Sequence, residues 1–92
     1  MPVSEIDWIG ATGDYVTLHV GAREHLVRQT IGSLERQLDP EMFLRIHRST
    51  IVQTCRICEL VTRQNGELLV RLRDGTELRT SRSYSLRLEE WL

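Results

Sequence analysis

The sequence predicts a mostly β domain: small antiparallel sheets and hairpins, one short amphipathic helix after the third strand, and room for a short C-terminal helix. Three observations predict it. Tyr15-Val16-Thr17-Leu18-His19-Val20 alternates apolar and polar residues, the period of a strand buried on one face. Asn65-Gly66 and Asp74-Gly75 interrupt later apolar runs, and such dipeptides are strong hairpin signals because the favoured tight turn needs positive φ at its centre. Only one segment, following Thr30, spaces its apolar residues as a surface helix does.

The totals bound the answer. With 92 residues, 40% hydrophobic and 27% charged, the chain is expected to be one small globular domain over residues 1–92 with one modest core. No apolar run approaches the length of about 18 residues that a spanning helix needs, and the first twenty residues carry acids where a signal peptide is basic. The chain therefore reads as cytoplasmic, without a membrane segment; a fused sensor or receiver domain would lie outside these residues. Net charge is only -1, a poor signature for a nucleic-acid binder, but the distribution is uneven. Residues 1–43 hold three arginines against seven acids, whereas residues 44–88 hold nine arginines against four acids. All twelve basic residues are arginine, which suits planar recognition of phosphate or guanine and is equally what a GC-rich coding bias produces.

Taken in order, Glu5 to Ala11 is short and apolar enough for a first strand, and Thr12-Gly13-Asp14 signals a turn. The alternating segment puts Val16, Leu18 and Val20 on one face and Tyr15, Thr17 and His19 on the other. Gly21-Ala22 returns the chain into Arg23 to Arg28 as a hairpin partner, with His19 and His25 expected to face each other across it. Thr30 is a good N-cap for a helix carrying Ile31, Leu34 and Leu38, and Asp39-Pro40 ends it. That helix has an apolar stripe and no basic face, so it packs on a sheet and does not read DNA. Ile57 to Arg63 then pairs with Glu67 to Arg73 across Gln64-Asn65-Gly66, and Thr76 to Thr80 follows across Asp74-Gly75. Ser81-Arg82-Ser83-Tyr84-Ser85 leads into a terminal packing element with Leu88, Trp91 and Leu92.

Between these elements lies Phe43-Leu44-Arg45-Ile46-His47-Arg48-Ser49-Thr50-Ile51-Val52-Gln53. Apolar residues at both ends anchor a run of hydrogen-bonding side chains, His47 to Thr50, held out to solvent. A histidine, an arginine and two hydroxyls on one short loop can meet a phosphate or a base edge, and the arginine fork suits guanine. The same run also fits a solvated turn between two elements. Polar tips are thus expected at Thr12 to Tyr15, His47 to Thr50 and Ser81 to Ser85, and a topology that brings them to one edge makes a recognition surface of loops.

Other chemistries find little support. Cys55 and Cys58 form a lone C-x-x-C; if both lie in one strand they point to opposite faces, and no second motif completes a tetrahedral site, so they read as structural thiols and no metal or other cofactor is expected. No G-x-S-x-G, H-E-x-x-H or phosphate-binding glycine loop is present, and His47 with Ser49 lacks a third member, so no catalytic residue is assigned. A non-catalytic β-rich protein-interaction or ligand-sensing module would explain the strands but not the His-Arg-Ser and Ser-Arg-Ser clusters.

At those clusters the chain resembles the LytTR DNA-binding domain. The resemblance rests on Gly13-Asp14-Tyr15-Val16-Thr17-Leu18-His19, a helix with Leu34 and Leu38, Phe43 to Ser49, a glycine-turned hairpin and Thr80-Ser81-Arg82-Ser83-Tyr84, in that order over nearly the whole chain. It implies an all-β arrangement of small sheets that inserts loops into successive major grooves, as the output domain of a bacterial transcription regulator of the two-component response-regulator type. It further implies double-stranded DNA with repeated half-sites as the partner, two copies binding as a homodimer on DNA, and base contacts from Arg48, Arg82 and Asp14. Either arginine can bond guanine O6 and N7, while Asp14 would accept from cytosine N4 or, alternatively, cap its own turn. His47, Ser49, Ser81, Ser83 and Arg45 are the expected phosphate contacts. The chain departs from the family where Thr50 replaces an aromatic residue and Gln53 an asparagine; Gln53 keeps the amide.

Overall fold

Alternating residues become strands wherever they can be covered. The computed structural model describes residues 3–63, 68–81, 83 and 84; the Gln64-Asn65-Gly66 turn, Arg82 and the segment from Ser85 onward, including the expected terminal packing element, lie outside them. The described strands are β1 (Trp8–Thr12), β2 (Tyr15–Val20), β3 (Arg23–Val27), β4 (Phe43–His47), β5 (Thr50–Gln53), β6 (Ile57–Thr62), β7 (Leu68–Leu72) and β8 (Glu77–Arg79), with helix α1 (Ile31–Gln37) after the third. A five-stranded sheet runs β3-β2-β1-β5-β4 and a three-stranded sheet β6-β7-β8, with every pairing antiparallel.

Local signals decide where elements start and stop. Gly13 at φ +60° and Gly75 at φ +93° occupy backbone that a side chain rarely adopts, and each sits in the turn it was expected to make. Thr30 caps α1 by accepting from the Ser33 N–H at 3.1 Å, and Asp39 ties the following turn by accepting from the Glu41 N–H at 2.9 Å. The first strand begins later than expected, at Trp8, because Val3–Glu5 form a 3₁₀ turn that still delivers Ile6 to the core. His19 and His25 do not face each other. The tight return after Val20 pairs Val20 with Arg23, which sets His25 opposite Leu18 and His19 opposite Glu24. His19 instead stacks on Trp8, ring centroids 3.7 Å apart and nearly parallel, with Nδ1 3.6 Å from Glu24. Cys55 lies in a second 3₁₀ turn, Thr54–Arg56, and Cys58 in β6, so they do not share a strand; both are free and exposed.

One modest core was expected, yet the five-stranded sheet buries both faces. Ile9, Val16, Leu18, Phe43 and Ile51 pack with Ile6, Ile31 and Leu38 beneath α1, while Ile46 and Val52 pack with Leu68, Val70, Leu72 and Leu78 of the three-stranded sheet. The reason lies in neighbouring apolar residues: Trp8 and Ile9, and Ile51 and Val52, point to opposite faces and each needs cover. A three-layer stack of helix, sheet and sheet results.

Gln53 fastens the end of this stack where β1 and β2 meet the N-terminal turn. It is 2% exposed, its Nε2 donates to the Ser4 and Ile6 carbonyls at 2.9 and 3.0 Å, and its Oε1 accepts from Cys55 Sγ at 2.6 Å. Asp7 extends the clasp, accepting from the Gly21 N–H at 2.9 Å and pairing with Arg56 Nε at 2.9 Å. Gln53→Ala takes the amide donor from the buried Ile6 carbonyl, while the Ser4 carbonyl keeps Arg56 Nη2 at 3.2 Å, and should cost about 1 to 3 kcal/mol in urea unfolding, whereas a surface change such as Arg36→Ala should stay within about 0.5 kcal/mol. Partial burial pulls the His19 imidazole below its ordinary pKa of 6.5, against the opposing pull of Glu24. The unfolded chain therefore takes up the proton first as pH falls below 6.5, and this site loses stability on acidification. Urea midpoints at pH 7.5 and 5.5 should differ more for the parent chain than for His19→Gln.

Candidate nucleic-acid interface

Sheet register gathers the polar tips. β1 and β2 pair down to Thr12 and Tyr15, so Gly13 and Asp14 form the turn beyond them. β4 and β5 pair up to His47 and Thr50, leaving Arg48 and Ser49 as the turn. Because β1 and β5 are antiparallel neighbours, the two turns emerge at the same end, and the Ala11 N–H donates to the Ser49 carbonyl at 2.8 Å. On the outer side of β4 the Ser81 N–H donates to the Ile46 carbonyl at 3.1 Å, bringing the segment after β8 alongside. Asp14, Arg48 with Ser49, and Ser81 with Ser83 thus follow one another along one rim, and strands in a sheet are spaced about 4.8 Å apart.

The central run is a tight hairpin tip and not an open loop. His47 and Thr50 belong to the strands, and only Arg48 and Ser49 form the turn. Arg48 is exposed, and among the described residues its guanidinium meets no carboxylate or carbonyl. Ser49 is tied to His47: its N–H donates to Nδ1 at 3.2 Å and its hydroxyl lies 2.9 Å from the same nitrogen. An Nδ1 that accepts from a backbone N–H carries no proton, so the neutral ring holds its proton on Nε2. At the third tip the Ser81 and Ser83 hydroxyls lie 3.3 Å apart and the Tyr84 N–H donates to the Ser81 carbonyl at 3.1 Å. Arg82, between them, lies outside the described residues. Asp14 is exposed in its turn, and its carboxylate accepts no hydrogen bond among the described residues.

Arg45 differs from the expectation of a phosphate donor. Its Nη1 bonds Glu35 at 3.1 Å, its Nε donates to the His47 carbonyl at 3.3 Å, its Nη2 donates to the Arg48 carbonyl, and the guanidinium lies over the Tyr84 ring at 5.7 Å. With 17% of its side chain exposed, it is committed to the protein because it sits on the helix-facing side of β4, in line with Phe43.

Arg28 went unnoticed in the sequence. It follows β3 directly, and since Val27 pairs with Val16, Arg28 emerges next to Tyr15 at the same end as the tips. Asp14, Arg28, Gln29 and Thr30 line one shallow depression there. Counting the hairpin register would have found it. Among the described residues no group of three or more His, Cys, Asp or Glu side chains could hold a metal, and no helix is long and apolar enough to cross a membrane.

Comparison with known proteins gives one consistent answer. The family model of the LytTr DNA-binding domain matches residues 1–92. The chain is 36% identical over 63 residues to the CO-responsive transcriptional regulator RcoM of Rhodospirillum rubrum, covering 68% of this chain and 27% of that protein. It is 30% identical over 76 residues to the transcriptional regulatory protein LytR of Staphylococcus aureus, covering 83% of this chain and 31% of that protein. The chain thus spans about a third or less of the length of these two relatives. A solved LytTr DNA-binding domain of a methyl-accepting/DNA response regulator from Bacillus cereus has the same fold, with a TM-score of 0.91 over 98% of this chain and 83% of that one at 20% identity.

Proposed function

The chain belongs to the LytTr DNA-binding domain family, and from that premise we propose that residues 1–92 act as one unit that reads double-stranded DNA by inserting hairpin tips into the major groove, in the cytoplasm, as the output part of a bacterial transcription regulator. The observation that carries the mechanism is the shared rim: the Asp14 turn, the Arg48–Ser49 turn and the Ser81 to Tyr84 segment emerge at one end of the sheet. Two arginines on neighbouring tips, Arg48 and Arg82, would bond guanine O6 and N7, each discriminating by about 1 to 3 kcal/mol. Asp14 would accept from a cytosine amine or stiffen its turn. The proton held on His47 Nε2, the hydroxyls of Ser49, Ser81 and Ser83, and the exposed Arg28 would meet phosphates and set register without reading sequence. Arg45 is left out of the phosphate contacts, because its Nε, Nη1 and Nη2 each donate within the protein.

A net charge of -1 implies few neutralised phosphates, hence a shallow salt dependence and modest affinity for one copy. Tight binding would then come from two copies on repeated half-sites, a homodimer on DNA, with a fused sensor or receiver domain supplying the signal. None of these steps involves bond chemistry, so no catalytic group or cofactor enters the reading.

Selection of bound duplexes from a random pool should return a motif repeated along the duplex; recovery of no motif, with no salt-dependent association, would instead favour a protein-binding module. On the recovered duplex, Arg48→Ala and Arg82→Ala should each weaken binding by about 1 to 3 kcal/mol and relax preference at one base position. Arg28→Ala should weaken binding to all duplexes alike and make the salt slope shallower by about 1.

A further inference from the structure

We infer that Arg45 is a positioning residue that couples the Arg48–Ser49 turn to the Ser81–Tyr84 segment, and so sets sequence preference without touching DNA. The inference rests on the reading of these tips as the DNA-facing groups. Every donor direction of the Arg45 guanidinium that the structure describes ends on the tips or their support. Nε and Nη2 hold the His47 and Arg48 carbonyls, the backbone from which the Arg48 side chain projects. Nη1 is braced at 3.1 Å by Glu35 of α1, and the flat face lies 5.7 Å from the Tyr84 ring centre.

The tip needs such a brace. The β4–β5 register slips between Arg45 and His47, so the ladder alone holds the last turn of the hairpin incompletely. One planar cation replaces those bonds, and the same cation carries the third tip. Beside it the Ser81 N–H donates to the Ile46 carbonyl at 3.1 Å, a second tie between the same two elements. A lysine could not serve, because a point-charge ammonium cannot bridge two carbonyls and a carboxylate while lying flat on an aromatic ring. Two base-reading arginines must enter neighbouring positions together, and loosening of about 0.5 Å or more in either tip removes productive geometry. Non-specific phosphate attraction tolerates such looseness.

The test compares the 92-residue chain with its Arg45→Met, Arg45→Lys and Tyr84→Leu variants and the Arg45→Met/Tyr84→Leu pair. Each is titrated with the duplex recovered by random-pool selection and with a scrambled duplex of equal length, between about 50 and 200 mM salt. Arg45→Met and Arg45→Lys should each lose about ten- to a hundredfold on the recovered duplex and less than about threefold on the scrambled one, with an unchanged salt slope. The paired variant should lose less than the product of the two single losses, since both remove the same coupling. Equal losses on both duplexes with a salt slope shallower by about 1 would mark Arg45 as a phosphate contact and overturn the inference. So would full discrimination retained by Arg45→Met. Should Arg45→Met unfold, Tyr84→Leu carries the test, because none of the Arg45 hydrogen bonds to Glu35, His47 and Arg48 runs to Tyr84, and the variant must still lose discrimination. A parent chain that distinguishes no duplex defeats the DNA reading itself; a parent that discriminates beside an equally discriminating variant defeats only the role of Arg45.

Discussion

Two pairs of adjacent apolar residues, Trp8 with Ile9 and Ile51 with Val52, constrain everything else. In a strand, neighbours point to opposite faces, so β1 and β5 cannot leave either face of their sheet to water. Full burial of one such side chain is worth about 1.5 to 3 kcal/mol, and Ile9, Ile51 and Val52 are each at most 1% exposed. The helix must cover one face and the second sheet the other. Once both faces are taken, the five-stranded sheet presents its polar side chains chiefly where the strands end.

The two ends of the sheet then do different work. At one end polar groups are consumed internally: Gln53 satisfies the Ser4 and Ile6 carbonyls, and Asp7 joins the Gly21 turn to Arg56. The Gln53 amide finds its partners by pinning the N-terminal turn to the sheet, while the buried Arg56 Nε has the Asp7 carboxylate beside it as an ion pair and no hydrogen bond among the described residues. At the other end Arg48, Arg28 and Asp14 stay exposed in or beside turns held by the same sheet. Stiff at one end and presenting polar side chains at the other, the molecule suits recognition by turns with a rigid scaffold behind them.

Arg45 links the two tasks. Its neighbours in the run, His47 and Arg48, look chemically alike in the sequence, yet alternation turns Arg45 toward α1 while the hairpin turn leaves Arg48 in solvent. A cation with 17% of its side chain exposed requires compensation, and Glu35, two carbonyls and the Tyr84 ring supply it. The result ties helix, hairpin tip and C-terminal segment at one atom group.

Much was legible from residues alone, because local rules carry short-range structure. The alternation of Tyr15 to Val20, the Thr30 cap, the glycine turns and the apolar spacing of α1 each act within a few residues. What depends on register and layering was not legible. The second core cluster and the enclosure of Arg45 follow from contacts between distant segments, whereas the pairing of His19 with Glu24 and the emergence of Arg28 beside Asp14 follow from the hairpin register, and the late start of β1 and the separation of Cys55 from Cys58 from short 3₁₀ turns. The chain by itself determined most of the strands, the helix and the turns between them, because these follow from local alternation, capping and glycine conformation. Tertiary structure alone decided which arginines face solvent, because that depends on which side of a doubly covered sheet each one occupies.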